Sequence, residues 1–187
     1  MHFSEISNKK IIKHDLLNKF HYNNIKDLPE LKQVTLNFGC KSFNAQKFAT
    51  TLLALEILAS KKGSITTAKK ANLLLKIQKG QPAGCKVILK KKEMYTFINK
   101  ILIEILPRIK NFTGFKVQTQ TSTLSFQLPS NEIVLEEFEN VYPLFSNLPH
   151  LDISILTTAK NRKELMFLIQ SLKIPVYKGE SSNEVQG

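Results

Sequence analysis

Ten lysines and no acid lie between Lys61 and Lys92, in the stretch KKGSITTAKKANLLLKIQKGQPAGCKVILKKK. Ammonium groups at that density are suited to one chemistry above others: neutralising the phosphates of a polyanion, each contact releasing counterions and adding affinity without reading sequence. Between the lysines stand a Gly-x-Pro-x-x-Gly loop (Gly80, Pro82, Gly84) and two short apolar runs, 73–75 and 85–89, so the charge has a folded support. Upstream, Asn37 lies in an alternating segment, and Asn and Thr on a rigid strand can reach the base edges and 2′-hydroxyls that lysines ignore. The stretch is read as an RNA-binding surface. The competing reading, a solvated lysine-rich face kept for solubility, fits the composition alone but explains less well why no acid interrupts 32 residues.

Other chemistries fit these residues poorly. Gly80 to Lys86 resembles a phosphate-cradling loop, but such a loop needs four residues between its glycines, then Lys and Ser/Thr opening a helix. Here three residues intervene and Val87 begins an extended run. His2, His14, His21 and His150 are scattered, Cys40 and Cys85 stand alone, and no pair sits at metal-ligand spacing, so no metal and no cofactor are expected. Nor can a nucleophile with its base, or two carboxylates in an apolar pocket, be assigned from spacing. Glu136, Glu137 and Glu139 read as a solvated face. The tetrapeptide Thr-Thr-Ala-Lys occurs at 66–69 and again at 157–160, but its flanks do not repeat, and Thr158 is expected to cap the closing helix.

Charge is unevenly spread along the 187 residues. Residues 1–110 hold 21 Lys/Arg against 7 Asp/Glu, whereas 111–187 hold 6 against 8, so the first part carries the whole excess of the net +12. Self-repulsion of that order is most easily understood if a polyanion offsets it. Hydrophobic residues make up 42%, enough for the core of one domain, and no apolar run approaches the ~20 residues of a membrane span, so a soluble protein is expected. Only Arg108 and Arg162 are arginine among 27 basic residues, the usage of an AT-rich coding genome. The first fifteen residues have early acids and no apolar core, unlike a secretory signal or an acid-poor transit peptide, so the chain is expected to work where it is made, with reduced thiols.

The elements that must position these groups follow from periodicity. Helical spacing marks 9–20, 44–60, 93–106 with Pro107 at its end, and 161–172; alternation marks strands at 31–38, 85–90 and 151–156. Residues 65–67 and 73–77 look extended, 80–84 must turn, 115–119 and 124–128 suggest a hairpin, and 133–138 is ambiguous. The expected fold is α+β: a mainly antiparallel sheet with helices packed on one face, in a single domain with an extended loop. Within it, 1–110 form a basic RNA-binding part, 111–178 the C-terminal part of the same domain, and 179–187 a flexible tail. If Thr35, Asn37, Lys86, Lys90 and Asp152 share the open face of the sheet, that face is polar and mostly basic.

These residues resemble the bacterial-type fifth protein of the large ribosomal subunit, a family that binds 5S ribosomal RNA. The resemblance runs from about residue 9 to 178 and rests on motifs in order: 16–24 followed by Pro29; Val34-Thr35-Leu36-Asn37-Phe38-Gly39; Ile65-Thr66 with Ala68-Lys69-Lys70; the block 76–87; Pro107-Arg108-Ile109-Lys110-Asn111-Phe112-x-Gly114; and Leu151-Asp152-Ile153-Ser154-Ile155 with Thr157-Thr158-Ala159-Lys160. It implies a non-enzymatic role in the central protuberance. There Asn37 meets 5S rRNA, with Lys61, Lys62, Thr67, Lys69, Lys70, Lys86 and Lys90 in the segments around it. Lys76, Gln78, Lys79, Gly80, Gln81 and Pro82 match a loop that reaches the elbow of P-site tRNA, and the region after Arg108 bridges to a small-subunit head protein. Large-subunit rRNA and neighbouring ribosomal proteins complete the implied partners, with no membrane among them.

The chain departs from the family pattern at Lys41, at Lys61 and at Ile88, the last removing a hydroxyl from the strand after the loop, and a Gly-rich hairpin tip is replaced by Gln120-Thr121-Ser122-Thr123-Leu124. Together with the lysine bias, this divergence fits an organelle-encoded copy, mitochondrial before plastid, with an AT-rich bacterium as the further alternative. The rival to 5S binding is a mitoribosomal protein-interaction module that has lost the RNA contact. A nucleotide-using enzyme, the third reading, would require nucleotide protection of 80–86.

Overall fold

The computed structural model describes residues 2–40, 45–71, 73, 77–109, 114–116, 118–119, 122–129, 138, 142–145 and 148–177. In chain order the helices are α1 (His2–Lys19), α2 (Ala45–Ala59), α3 (Lys91–Lys100), α4 (Tyr142–Phe145) and α5 (Arg162–Ser171). The strands are β1 (Leu31–Gly39), β2 (Ser64–Thr67), β3 (Pro82–Leu89), β4 (Phe115–Lys116), β5 (Gln118–Thr119), β6 (Thr123–Leu128), β7 (Leu151–Thr157) and β8 (Val176–Tyr177). Six of them form one sheet in the order β2-β3-β1-β7-β6-β5, every neighbouring pair antiparallel. The remaining two, β4 and β8, pair in parallel.

Alternation in the sequence decides which face is dry. Along β1 the side chains of Val34, Leu36 and Phe38 are buried while Gln33, Thr35 and Asn37 are only half-buried, and Cys85, Val87 and Leu89 of β3 repeat the pattern. Leu124, Phe126 and Leu128 of β6 and Leu151, Ile153 and Ile155 of β7 continue the same buried layer. Helices α2 and α3 cover it with Phe48, Leu55, Leu58, Met94 and Phe97. Each fully buried leucine contributes roughly 1.5–3 kcal/mol relative to exposure. A smaller cluster of Ile12, Leu16, Leu28 and Leu168 fastens α1 to α5. The α+β sheet with helices on one face is as expected from the pattern, and no described helix is long and apolar enough to cross a membrane.

Several local expectations change. Pro82 does not belong to the turn: β3 starts there and pairs with Thr67, a position where proline's missing N–H is tolerated because it is the first residue of the strand. Leu73, expected in an extended run, stands in a turn and is 94% exposed. Residues 74–76 lie outside the described residues. The stretch 115–119 is divided, since Phe115 and Lys116 pair with β8 and only Gln118 and Thr119 join β6 in the sheet. Thr158 does not cap the closing helix, for Asn161 occupies that position; the Thr158 hydroxyl instead accepts the N–H of Glu30 at 2.9 Å. Beyond α3 the helix widens into a π turn (Ile101–Ile105) and tightens into a 3₁₀ turn (Leu106–Arg108) around Pro107, which is how it accommodates the residue expected to end or kink it. The ambiguous segment 133–137 and the tail 179–187 fall outside the described residues.

Candidate nucleic-acid interface

On the face of the sheet turned away from the helices, strand register builds a row of polar residues. Ser64 of β2 pairs with Lys86, Lys86 with Asn37, Asn37 with Asp152, and Asp152 with Gln127, so five strands contribute one residue each. Asp152 receives the Gln127 amide at 2.8 Å and the Asn37 amide at 3.4 Å. Because a carboxylate only accepts, the Asn37 nitrogen must face Asp152, leaving its carbonyl oxygen uncommitted among the described residues. The next row carries Thr35, Ile88, Ser154 and Ser125, with the two serine hydroxyls 3.0 Å apart. Side chains tied to each other in this way lose little rotational freedom when a ligand arrives, which favours selective recognition.

The face itself is not mostly basic, as the sequence suggested, but balanced. Lys86 and Asp152 are its two charges among the described residues, both half-buried. Charge gathers instead at the β2–β3 edge and beyond it: Lys62, Lys69, Lys70, Lys79 and Lys90 are exposed and have no ion-pair partner among the described residues, and Thr67 is exposed beside them. Lys90 follows β3 directly and precedes the first turn of α3, one residue beyond the sheet. Lys61 is different. Its ammonium is held at 2.7 Å by the Glu93 carboxylate and at 3.1 Å by the Ile88 carbonyl, so part of its charge is spent inside the protein.

The loop tip beyond this edge is fixed by backbone bonds. Gln81 donates its N–H to the Gln78 carbonyl at 3.2 Å, closing a four-residue turn in which Gly80 has φ 87°, the conformation a type II turn demands at that place. Ala68 and the loop exchange two further bonds, Ala68 N–H to Gln81 carbonyl and Gly80 N–H to Ala68 carbonyl, each 2.9 Å. The Gln81 side chain accepts the Gln78 N–H at 2.9 Å. Lys79 therefore sits second in an anchored turn with its side chain exposed, beside half-buried Gln81 and Pro82. Lys76 lies outside the described residues.

Gly84 serves a different purpose. Its φ is ordinary, but a Cβ there would stand 2.5 Å from the Phe38 carbonyl oxygen and 3.2 Å from the Thr66 hydroxyl, so glycine permits β1, β3 and β2 to close up. Behind this point Cys40 and Cys85 are both free thiols flanking the Thr51 hydroxyl at 3.8 and 3.9 Å, and burial pushes the Cys85 thiol up from its usual range, keeping it neutral and unreactive. Among the described residues no three His, Cys, Asp or Glu side chains converge on one point. What the arrangement can do is donate and accept hydrogen bonds over a flat surface and neutralise anions at its border.

Sequence reasoning identified Asn37, Lys86 and Asp152 but missed Ser64, Ser125 and Gln127, which join them only through register. It also missed Glu164, buried and accepting the Lys160 N–H at 3.2 Å, which secures the start of α5 in place of a hydroxyl cap.

Comparison with known proteins gives consistent matches. Residues 82–176 match the model of the ribosomal L5 family C-terminus. Over 174 residues the chain is 33% identical to large ribosomal subunit protein uL5m of Reclinomonas americana, covering 91% of this chain and 95% of that protein. It is 34% identical to uL5 of Wigglesworthia glossinidia brevipalpis over 173 residues, 91% and 96% of the two chains. A uL5 from Wolbachia is 33% identical over 177 residues, 94% and 99% of the two chains.

Proposed function

The chain belongs to the uL5 family, structural and non-enzymatic constituents of the large ribosomal subunit, and we propose that its open sheet face holds 5S rRNA in the central protuberance while the turn at Gln78–Gln81 reaches P-site tRNA. The observation that carries this reading is the five-strand row centred on Asn37, bordered by lysines that have no ion-pair partner among the described residues. RNA selectivity needs fixed donors and acceptors; affinity needs phosphate contacts; the two are found side by side. Asn37, Thr67 and Lys86 are assigned to the specific part of the contact, and Lys62, Lys69, Lys70 and Lys90 to the phosphates. Lys61, braced by Glu93, is assigned the dual task of stiffening the edge and adding residual charge. Lys76, Gln78, Lys79, Gly80, Gln81 and Pro82 form the tRNA loop.

In the proposed division of labour, residues 1–110 face RNA, and 111–178, with more acids than bases, face a protein of the small-subunit head. The proposed compartment is the mitochondrion. Low arginine usage and the similarity to a uL5m support it; bacterial uL5 proteins are comparably similar, and mass spectrometry of purified organelles decides the point.

Photo-crosslinking residues introduced separately at positions 86 and 79 of the assembled subunit test the central assignment. Position 86 is expected to cross-link 5S rRNA, and position 79 to cross-link tRNA in the P site. Cross-links from position 86 to protein alone would overturn the sheet-face assignment.

A further inference from the structure

A second basic surface lies at the opposite end of the sheet. Strand β1 runs about 25 Å from the loop end, where Gly39 meets Gly84, to Leu31, where it meets the end of β7. Beyond Leu31 the chain segments before β1 and after β7 are bound together: Thr158 donates its N–H to the Glu30 carbonyl at 2.9 Å, Lys160 pairs with Asp27 at 2.6 Å, and Lys13 pairs with Glu30 at 2.6 Å. Those bonds occupy Asp27 and Glu30, and Glu164 is buried against the Lys160 backbone.

Four cations are left over. Lys19, Lys26, Arg162 and Lys163 are all exposed and have no acidic partner among the described residues; Asp15, one turn before Lys19, makes no ion pair with it. Lys19 lies 4.3 Å from the centroid of the Phe167 ring, and Lys163, four residues before Phe167 on α5, shares its helix face, so two basic residues neighbour one aromatic ring. Arg162 and Lys163 also stand in the first turn of α5, where the helix dipole already places positive potential and cations are disfavoured. They belong to the half of the chain whose overall balance is acidic, so they are not part of a general lysine excess. An anion docked here relieves repulsion that the protein leaves unrelieved.

We propose that this edge is a second RNA contact, binding the phosphate backbone of an RNA segment distinct from the one on the sheet face, so that the protein joins two segments. The occupant is taken to be RNA because the cations are spread along two elements without a hydrogen-bonding row beside them, the pattern of sequence-independent backbone binding. The edge and the sheet face are far enough apart to be occupied together.

The test uses the full chain and two short RNA duplexes of arbitrary sequence, one labelled with a donor dye and one with an acceptor. Wild type is expected to bring the two together and give energy transfer. The variant Lys19→Gln, Lys26→Gln, Arg162→Gln, Lys163→Gln should bind the first duplex normally and the second at least about tenfold more weakly, because its phosphate contacts are removed. All four side chains are exposed, and an unchanged melting curve checks folding. Bridging by the variant with wild-type affinity overturns the proposal, as does a wild type that holds one duplex only. Intact bridging with loss of polyglutamate binding would assign the edge to an acidic protein surface and equally overturn it. Selectivity for 5S rRNA reports on the sheet face and bridging on this edge, so the two readings fail separately.

Discussion

The polar row on the sheet and the turn at the loop tip are both offered to RNA, yet they are built in opposite ways. In the row, side chains hold one another: Gln127 and Asn37 both point their amides at Asp152, and the strand register fixes where each begins. At the tip the backbone holds itself through three bonds between residues 68 and 81, and the Lys79 side chain is left exposed. Substitution in the row changes geometry for its neighbours; substitution at the tip removes a charge and little else. Shape-dependent selectivity belongs to the first arrangement and adaptable reach to the second.

The two glycines of the loop block sharpen this contrast most strongly. Gly84→Ala forces a methyl group to within 2.5 Å of the Phe38 carbonyl, and about 2 kcal/mol or more of folding stability should be lost in urea unfolding. Gly80→Ala meets open space and suffers only from its positive φ, so about 1 kcal/mol is expected. Equal losses would mean that crowding between strands is not what Gly84 relieves.

Next in size is Asn37→Ala. It should weaken 5S rRNA binding by ~1 kcal/mol or more while the fold survives, because Asp152 keeps Gln127 as a donor and the RNA loses a fixed partner. Unchanged affinity in a folded variant would remove Asn37 from the interface. The border lysines should behave otherwise: Lys69→Gln with Lys70→Gln is expected to lower the salt dependence by about 1 per lysine and to weaken 5S and unrelated RNA alike. A loss confined to 5S rRNA would contradict their assignment to phosphates. Lys79→Gln has the smallest effect on 5S binding, less than about 0.5 kcal/mol for a rim charge, with its consequence confined to tRNA placement. A Lys79 variant that cannot assemble into the subunit would erase the distinction between row and tip.

Much of this was legible before any coordinates. Alternation at 31–38 and 151–156 correctly separated the dry from the open face, because a side-chain period of two leaves only one assignment when one set is Val, Leu, Ile and Phe. Register was not legible: nothing local to Ser64 or Gln127 says which strand it will oppose. Proline misled in the loop block, where Pro82 reads as a turn residue but opens β3 with its absent N–H at a permitted place. Thr158 has the local signature of a cap, and a backbone partner 128 residues away won instead. Lysine counts, finally, cannot reveal pairing, so Lys61 looked as free as Lys62 until Glu93 was found against it.

A titration of the protein with the 5S rRNA of its own compartment, at two salt concentrations and beside an unrelated RNA of equal length, tests the central claim most directly. Tight binding that weakens steeply with salt but keeps its preference for 5S rRNA is the predicted result, since lysines supply the salt-sensitive affinity and the row supplies the choice. Equal affinity for both RNAs would contradict it, reducing the row to a structural feature and the lysines to general attraction.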